Sequence, residues 1–341
     1  MPAEWEPHSA TWLSWPHNSQ TWPGTLGAVE SAMVAIVAAL GESERVRINV
    51  LDEAHERHAG RLLGKAVSPQ RIAFHRVPTD DAWVRDYGAI FVVNEQRGLM
   101  ALDFGFNAWG GKYLPCDRDA AAGKAMAAAL AAPRFVPGMV LEGGSVDVNG
   151  AGALLTTEQC LLNPNRNPHL GRADIEMRLQ HAFDVHQIIW LEGGIDGDDT
   201  DGHVDAVARF VAADRVVTAV EANPKDANHR PLRANRARLA AERLSAGQRL
   251  DIVELPMPEP LHWRGRRLPA SYLNFHVANG VVLVPRFGCR QDGLAAELLG
   301  ECFPRRRIAL IDCRHIVIGL GAVHCLTQQV PALRYTPATA A

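Results

Sequence analysis

The chain has 341 residues, of which 47% are hydrophobic, and this length allows one large core or two ordinary ones. Its formal net charge of −3, from 35 basic and 38 acidic side chains, disfavours nucleic acid and anionic membranes as partners. The six cysteines lack CxxC spacing, and the N-terminus lacks a basic segment followed by an apolar run. We therefore expect a cytoplasmic protein with reduced cysteines and no membrane span.

The predicted elements repeat in one order: two strands joined by a turn, a helix and a short apolar strand. The N-terminal part predicts a strand at 11–15, a helix at 25–40 and a strand at 46–51. Strand pairs are predicted at 89–93 with 99–104 (turn at 94–98), 204–211 with 215–221, and 272–277 with 281–285. Helices are predicted at 117–131, 171–182, 227–245 and 291–302, and closing strands at 136–141, 186–191, 250–255 and 307–311.

Five such units, each of roughly 55–70 residues, predict a closed array with approximate fivefold symmetry. Residues 324–329 would return to complete the first unit, and closure would remove exposed sheet edges. An open βαβ sheet is the alternative, but its first strand–helix turn lacks a glycine fingerprint. Because no linker or low-complexity run divides the chain, we predict one α/β domain over residues 1–341.

Two acidic motifs lie at predicted strand ends, where functional sites are common. The first is Asp80–Gly88 (DDAWVRDYG), for which a structural Arg85–Asp86 ion pair with Trp83 in the core is an alternative explanation. The second is Leu141–Ser145 (LEGGS), whose glycines allow other backbone to approach its glutamate closely. An ordinary polar strand end remains the alternative for this second motif.

A third acidic motif, Asp196–Asp205 (DGDDTDGHVD), enters a predicted strand. Alternation along that strand would place His203 and Asp205 on the same face. Calcium binding by an EF-hand loop is excluded by spacing, because the sixth position is Asp201 and the twelfth is Val207. One histidine among hard carboxylates also lacks the ligands that zinc prefers, so we predict no metal.

Cys325 follows a glycine-containing segment and has no second cysteine nearby. It is either a small buried hydrophobe or a nucleophile, and a nucleophilic thiol needs a base. In an extended segment the adjacent His324 would face the opposite side. The better base is therefore His203, oriented by a carboxylate such as Glu142.

The surplus of carboxylates indicates the substrate class. A planar guanidinium, with its fan of N–H donors, is bound bidentately by carboxylates. We expect Asp86 and Asp205 to hold such a group with its carbon over Cys325. The bound cation would also favour the thiolate, because a nearby positive charge lowers a thiol pKa.

These motifs together resemble the agmatine deiminases of the guanidino-group-modifying, or pentein, superfamily, which bacterial peptidyl-arginine deiminase-type proteins also resemble. The resemblance runs from residue 1 to the Cys325 segment. It rests on WVRDYG at 83–88, LEGGS at 141–145, TEQCLLNPNRNP at 157–168, DDTDGHVD at 198–205 and HCLTQQ at 324–329. It implies a five-bladed α/β propeller of ββαβ-like units that needs no metal or organic cofactor.

The resemblance also implies a reaction and a role for each matching residue. Cys325 would attack the guanidinium carbon of agmatine, and ammonia would leave with a proton from His203. Water activated by the same histidine would then release N-carbamoylputrescine from a covalent thiouronium. The other implied roles are Glu142 pairing with the histidine, Asp86 and Asp205 binding the guanidinium, Trp83 lining the substrate channel and Asp199 contacting the distal ammonium.

One segment departs from the family pattern: Gly319–Ala322 reads Gly-Leu-Gly-Ala where the family has Gly-Gly-Gly-Asn. Three alternatives therefore stay open. They are a deiminase of another guanidine such as arginine or peptidyl-arginine, a weakly active or non-catalytic protein that binds a cationic ligand, and a transferase that passes the amidine to an amine. A homo-oligomer such as a dimer is a further expectation.

Overall fold

The structure is a computed structural model that describes residues 1–94, 98–245 and 247–333. Within these ranges, five sheets share one strand order, in which a first strand is antiparallel to a second and the second is parallel to a third. In that order the sheets are Gln328–Pro331, His8–Ser14 and Arg45–Val50; Ile90–Val93, Leu99–Leu102 and Arg134–Phe135; Asp147–Val148, Ala153–Thr157 and Gln187–Leu191; Ala208–Phe210, Arg215–Val220 and Asp251–Pro256; and His276–Val277, Val281–Arg286 and Arg307–Asp312.

A helix joins the second and third strands of each sheet, because parallel neighbours require a crossover connection. These helices are Leu26–Gly41, Asp117–Ala129, Arg172–Phe183, His229–Ala241 and Asp292–Cys302. The repeating order predicted from the sequence is therefore confirmed, and the chain is of the α/β class. Helix Glu53–Leu63 and strand Ile72–Arg76 extend the first sheet, and strands His262–Trp263 and Arg266–Arg267 form a separate hairpin. Short α-helical turns lie at Val84–Tyr87, Ala108–Gly111 and Glu158–Leu161, and 3-10 turns at Pro69–Arg71, Gly143–Ser145, Val204–Ala206 and Ile316–Gly319.

A strand near the start of the chain and the last strand of the described residues pair in the first sheet. Strand Gln328–Pro331 pairs antiparallel with His8–Ser14, with Thr11 opposite Gln329. The predicted return of the C-terminal segment is thus confirmed, although its strand begins three residues after Cys325. The thiol therefore lies in the turn that precedes the strand.

Three predicted strands are shorter than expected or displaced. The strand predicted at 204–211 covers only Ala208–Phe210, because a Val207–Val204 backbone bond of 2.9 Å closes a 3-10 turn before it. The strands predicted at 136–141 and 272–277 are Arg134–Phe135 and His276–Val277. The residues missing from these strands form turns and irregular segments, and Gly105 and Val140 form an isolated parallel bridge where the strand at 136–141 was expected. Residues 95–97 of the predicted turn at 94–98 lie outside the described residues.

The apolar side chains form two buried clusters around these sheets. The smaller one lies between the second and third sheets and includes Leu102, Leu154 and Phe183, whose burial stabilises the fold by roughly 1.5–3 kcal/mol for each side chain. The larger one contains Trp12, Trp22 and most other core residues. No helix in the described ranges is long and apolar enough to cross a membrane.

The repeat brings five separate chain segments to one place. Each sheet is preceded, just before its first strand, by a segment that carries a polar residue of the candidate site. In chain order these residues are Asp86, Glu142, His203 with Asp205, Asn274 and Cys325. Equivalent positions in a repeated unit meet at equivalent places in the fold, which is why residues more than 200 positions apart become neighbours.

Candidate active site

A cavity of about 690 Å³ leads to Cys325. Among the side chains that line it are Asp86, Trp83, Trp109 and Asp199, so the predicted binding residues Asp86, Trp83 and Asp199 share one cavity with the predicted nucleophile. Cys325 itself is 9% exposed. A thiol in this position is reachable from the cavity but screened from bulk water.

Asn274 holds Cys325 from two sides. Its Nδ2 donates to the Cys325 Sγ at 3.2 Å, and its Oδ1 accepts the Cys325 backbone N–H at 3.3 Å. The asparagine is buried in the loop before the fifth sheet. A donor aimed at sulfur favours the thiolate, so Asn274 both holds the Cys325 sulfur in place and favours its ionised form. Sequence reasoning missed this residue, because an isolated asparagine before a strand carries no distinguishing signal.

His324 faces away from the cavity, as predicted, but the predicted reason was wrong. Residues 323–326 form a turn instead of an extended segment, with a 3.0 Å bond from the Thr327 N–H to the His324 carbonyl. Within this turn the imidazole points to the reverse side, where its Nδ1 lies 2.7 Å from Asp205 Oδ2. The same Asp205 oxygen lies 3.9 Å from the Cys325 Sγ.

Asp86 is held by two neutral donors. Its Oδ2 accepts the indole N–H of Trp109 at 2.9 Å, and its Oδ1 accepts the Gly144 backbone N–H at 3.1 Å. Trp109 reaches this carboxylate because Ala108–Gly111 has positive φ angles throughout the turn, 53° at Trp109. The alternative of an Arg85–Asp86 ion pair is wrong, since Arg85 turns to the other side and pairs with Glu4 at 3.4 Å.

Gly144 marks the point where three site residues converge. A Cβ atom on this glycine would lie 2.6 Å from His203 Nδ1, 2.9 Å from Asp86 Oδ1 and 3.0 Å from Asp205 Oδ2. Any side chain there would displace one of the three, so the second glycine of the LEGGS motif is required by space. The predicted neighbours His203 and Asp205 do meet, although a 3-10 turn and not strand alternation brings them together.

The expected pairing of Glu142 with His203 is not formed as a hydrogen bond. Glu142 Oε1 instead accepts from the fully buried Arg166 Nε at 2.6 Å. In the described part of the chain, Glu142 Oε2 and both ring nitrogens of His203 make no hydrogen bond, and His203 Nδ1 lies 3.7 Å from Asp86 Oδ1. Arg166 also binds Asp201 and the Thr200 carbonyl at 2.8 Å, which ties the loop that carries His203 to Glu142. Arg166 belongs to the NRNP sequence at 165–168, and this motif is the sequence signal from which its role could have been predicted.

Trp83 forms a wall beside the nucleophile turn. A Cβ atom on Gly319 or Gly321 would lie 2.8 or 2.4 Å from the Trp83 ring, so both positions require glycine. Leu320, between them, has a φ of 71° and lines the cavity. A leucine in the left-handed region is strained by roughly 1–2 kcal/mol, and the flanking contacts with Trp83 hold it there.

Asp199, predicted to contact the distal ammonium, also lines the cavity. It is bonded to the Tyr113 hydroxyl, and Arg266 Nη2 lies 3.5 Å from its Oδ2. Three further aspartates, Asp80, Asp81 and Asp119, also line the cavity. The walls formed by the described residues contain no lysine or arginine, so the cavity has a negative interior that suits a cation.

Burial dominates the electrostatics of the site. It raises the pKa of Asp86 to about 7 and the pKa of Asp205 well above its ordinary value. Burial, together with Asp205 and Asp86, raises the pKa of the Cys325 thiol. Burial and the Arg166 guanidinium lower the pKa of His203 well below its usual range. The site therefore contains a neutral thiol, a neutral imidazole and partly protonated carboxyls. A bound cation would lower the pKa of the thiol and of the carboxyls, and so favour their ionised forms.

Two buried groups of described residues could offer ligands to a metal ion: His8 with Glu44 and His276, and Glu142 with Cys160 and His203. In the first, Glu44 and His276 already bond to Thr11. In the second, the Arg166 guanidinium, 2.6 Å from Glu142, opposes a second cation. Each group also offers three residues, one fewer than the four ligands of a structural zinc site.

Residues 1–331 match the family described as Porphyromonas-type peptidyl-arginine deiminase. The chain is 38% identical to the agmatine deiminase of Stutzerimonas stutzeri over 355 aligned positions, which cover 97% of this chain and 95% of that protein.

Two solved structures are similar along their whole length. The agmatine deiminase of Enterococcus faecalis has a TM-score of 0.91 and 30% identity, with 98% of this chain and 96% of that chain covered. A cysteine-to-serine variant of the C. jejuni agmatine deiminase, determined with substrate bound, has a TM-score of 0.87 and 32% identity, with 97% and 95% covered.

Proposed function

Since the chain belongs to the family of Porphyromonas-type peptidyl-arginine deiminases, we propose that it hydrolyses agmatine to N-carbamoylputrescine and ammonia. Agmatine deimination is the activity named for relatives that are 35–38% identical over almost the whole chain. The observation in this chain that carries the proposal is the convergence of Asp86 and Asp205 on Gly144, beside the Cys325 thiol. Two buried carboxylates without an arginine or lysine between them form a binding site for an incoming guanidinium.

Agmatine fits the charge of the cavity better than arginine does. Asp199 and the aspartates at 80, 81 and 119 line the cavity with Asp86, and no lysine or arginine belongs to the described lining, although Arg266 Nη2 lies 3.5 Å from Asp199 Oδ2. Burial raises the pKa of Asp119 to about 8, so the charge of the wall comes mainly from the other aspartates. The distal ammonium of agmatine would be attracted by this wall, whereas the carboxylate of free arginine would be repelled. Asp199, held by Tyr113, is the group we assign to the ammonium.

The first half of the proposed reaction forms a covalent intermediate. Asp86 and Asp205 bind the guanidinium, and its positive charge lowers the pKa of the Cys325 thiol, whose proton passes to His203 to give a thiolate and an imidazolium. The sulfur attacks the guanidinium carbon, the C–N bond breaks, and His203 donates a proton to the departing ammonia. Asn274 keeps the sulfur in place. The product of this half is a thiouronium on Cys325.

The second half restores the thiol. His203, neutral after donating its proton, accepts one from a water molecule, whose oxygen attacks the thiouronium carbon. The C–S bond breaks and N-carbamoylputrescine leaves. Glu142, fixed by Arg166, lies near enough to the imidazole to stabilise its protonated form. General acid–base catalysis of this kind contributes about 10²–10⁴-fold to the rate.

We also propose that the whole chain, residues 1–341, forms one catalytic domain in which the five sheets are blades of a closed α/β propeller. The identical strand order of the sheets and the pairing of Gln328–Pro331 with His8–Ser14 support this arrangement. A cytoplasmic location and a homodimer belong to the same proposal. They are supported by the cysteine pattern and by family resemblance respectively.

The test is to incubate the purified protein with agmatine, free arginine and a blocked peptidyl-arginine, and to measure ammonia and ureido product. We expect agmatine to be turned over fastest, and Cys325→Ala to lose at least about 10⁴-fold in kcat. Turnover that survives Cys325→Ala would refute the mechanism. Saturable agmatine binding without ammonia would favour the cation-binding alternative, and release of the amidine onto an added amine would favour a transferase.

A further inference from the structure

The reverse side of the site is organised around one residue that the catalytic proposal does not use. Glu4, 6% exposed, lies 2.8 Å from His324 Nε2, 3.0 Å from Arg209 Nη2 and 3.4 Å from Arg85 Nη2. Its other oxygen accepts the Val277 backbone N–H at 2.8 Å. Burial alone would raise the pKa of Glu4, but Arg209 and the neighbouring histidines hold it well below its ordinary value. Glu4 is therefore an ionised carboxylate that only accepts hydrogen bonds.

The ionised state of Glu4 determines where the protons of His324 lie. Because Glu4 only accepts, the bond of 2.8 Å requires a proton on His324 Nε2. The Nδ1 of a neutral imidazole is then an acceptor, and it lies 2.7 Å from Asp205 Oδ2. That second bond also needs a proton. It belongs either to a neutral Asp205 carboxyl, which donates to Nδ1, or to a His324 imidazolium, which donates to an Asp205 carboxylate.

We propose that His324 takes up the proton that Asp205 gives up when a guanidinium binds, so that the pair carries one proton throughout. The proposal rests on the function proposed above, in which Asp205 binds the cation. The Oδ2–H bond of Asp205 breaks, an Nδ1–H bond forms on His324, and nothing is released to solvent. His324 then lies as an imidazolium between two carboxylates, Glu4 and Asp205.

The charges around the pair favour opposite states before and after binding. Asp205 faces the Asp86 and Asp198 carboxylates, which together with burial keep it protonated while the cavity holds no cation. Arg209 and Arg85, which face His324 from the neighbouring strand and helix, add to burial in disfavouring the imidazolium.

A guanidinium between Asp86 and Asp205 removes the preference of Asp205 for its protonated form, since the cation stabilises both carboxylates. Glu4 then stabilises the imidazolium on the other side. Asp147 contacts Arg209 and His276 contacts Glu4, whereas the Cys325 thiol, 3.9 Å away, and His203 face Asp205 from the cavity side.

The internal transfer has a consequence that can be measured. Without an acceptor beside it, Asp205 would release its proton to solvent on binding, and agmatine affinity would rise about tenfold for each pH unit. With His324 present, the proton stays on the protein, so Asp205 does not contribute to the pH dependence of agmatine affinity. Agmatine itself remains a dication near neutral pH, because guanidinium and amine groups titrate far above it. Only groups of the protein therefore contribute to the pH dependence of binding.

The experiment uses the full chain carrying Cys325→Ala, which binds agmatine without turning it over. Calorimetric titration with agmatine in buffers of different ionisation enthalpy counts the protons released. Adding His324→Asn keeps polar atoms near Glu4 and Asp205 but removes the proton acceptor, and we expect up to one more proton released for each agmatine bound. The matched control is His276→Asn, which removes another buried imidazole beside Glu4 that does not contact Asp205. We expect the control to leave the proton count unchanged.

Equal proton counts with and without His324→Asn would overturn the proposal, as would an equal increase in the control. A second measurement needs no substitution at His324: nitrogen NMR of the Cys325→Ala protein, with labelled histidines. Agmatine should shift His324 Nδ1 from a bare to a protonated ring nitrogen, and no shift at saturation would also overturn the proposal. Failure of the proposed function looks different: either agmatine does not bind to the Cys325→Ala protein, or the protein with Cys325 intact binds agmatine without releasing ammonia.

Discussion

The buried residues around Cys325 have two sides, a reverse face around Glu4 and a cavity face around Asp86, and the charges of these two faces are balanced differently. On the reverse face, Glu4 is surrounded by Arg85, Arg209 and His324, so each charge has a partner within 3.4 Å. On the cavity face, the hydrogen-bond donors to Asp86 in the described chain are the neutral Trp109 indole and Gly144 N–H, and His203 Nδ1 lies 3.7 Å from its Oδ1. The charges of the reverse face are paired without a ligand. On the cavity face, an incoming cation would supply the charge partner of the carboxylates.

Neighbouring residues build both faces. Arg85 and Asp86 are consecutive, as are His324 and Cys325, and in each pair the first side chain turns to the reverse face and the second to the cavity. The contacts of Arg85 and His324 on the reverse face therefore also hold Asp86 and Cys325 through the backbone. Burial of charge stabilises the structure on one face and prepares binding on the other.

The strongest test of this difference is Asp86→Asn. We expect kcat/KM for agmatine to fall by about 10²–10³-fold, because the guanidinium loses a charged partner in a buried site. Stability should change in the opposite direction. The folded pKa of Asp86, about 7, exceeds its ordinary value, so its contribution to stability is full below about pH 4 and declines as the pH rises to about 7.

The asparagine variant lacks this decline and should be the more stable protein near pH 8. The gain is about 1.4 kcal/mol for each unit of pKa difference. Melting temperatures at a series of pH values, with activity in parallel, measure both effects. A variant that is less stable than the parent at about pH 8 would contradict the idea that this carboxylate is uncompensated.

The counterpart on the reverse face is Glu4→Gln. It leaves Arg85 and Arg209 without their shared carboxylate, so we expect the free energy of unfolding to drop by about 3–5 kcal/mol. Denaturant unfolding gives this value. A loss below about 1 kcal/mol would mean that the network contributes no more than a surface ion pair and that the two faces do not differ.

Gly144→Ala tests whether the site needs the close approach of His203, Asp86 and Asp205 around this glycine. The added methyl group would lie within 3.0 Å of atoms of His203, Asp86 and Asp205, so we expect a loss of about 10²-fold in kcat/KM with little change in fold. Gly27→Ala is the matched control, since it has open space around its Cβ and lies in a helix. Full activity of Gly144→Ala would show that the three side chains do not need this geometry.

The smallest effect is expected for Leu320→Gly. Relief of the left-handed strain is offset by the greater flexibility of glycine in the unfolded chain, so stability should change by no more than about 1 kcal/mol. Loss of an apolar cavity wall should raise KM for agmatine a few fold. Ala131→Gly is the control, because Ala131 also has a positive φ but lies outside the cavity lining, and glycine relieves the same kind of strain there. An unchanged KM would show that Leu320 does not contact the substrate.

Much of the fold was predictable because each unit repeats the same local signals. Apolar residues at helical spacing, between turn sequences, placed all five crossover helices within a few residues of their observed bounds, and the return of the C-terminal strand to the first sheet was also predicted. Prediction was wrong at the strands expected at 204–211 and 272–277. There the residues that read as strand form loops near the site, whose backbone groups bond to side chains such as Thr200 and Ser271.

The site was predictable as a set of residue types and only partly as an arrangement. Cys325, Asp86, Asp205 and His203 stand in unusual acidic or glycine-rich sequences, and they were expected together for that reason. Asn274 and Trp109 were missed, because their function comes only from what they contact: a sulfur in one case and a carboxylate in the other. The roles of the catalytic residues, Glu142 among them, remain predictions.

The sequence by itself determined the order of elements, the closure of the chain and the chemical character of the site, because these depend on local patterns and on residue type. Only the tertiary structure decided that Glu142 bonds to Arg166, that Gly144 is required by space, and that His324 joins Asp205 to Glu4. The physical reason is distance along the chain. Hydrogen bonds and pKa values depend on atoms a few ångströms away, and in this fold those atoms come from five different segments.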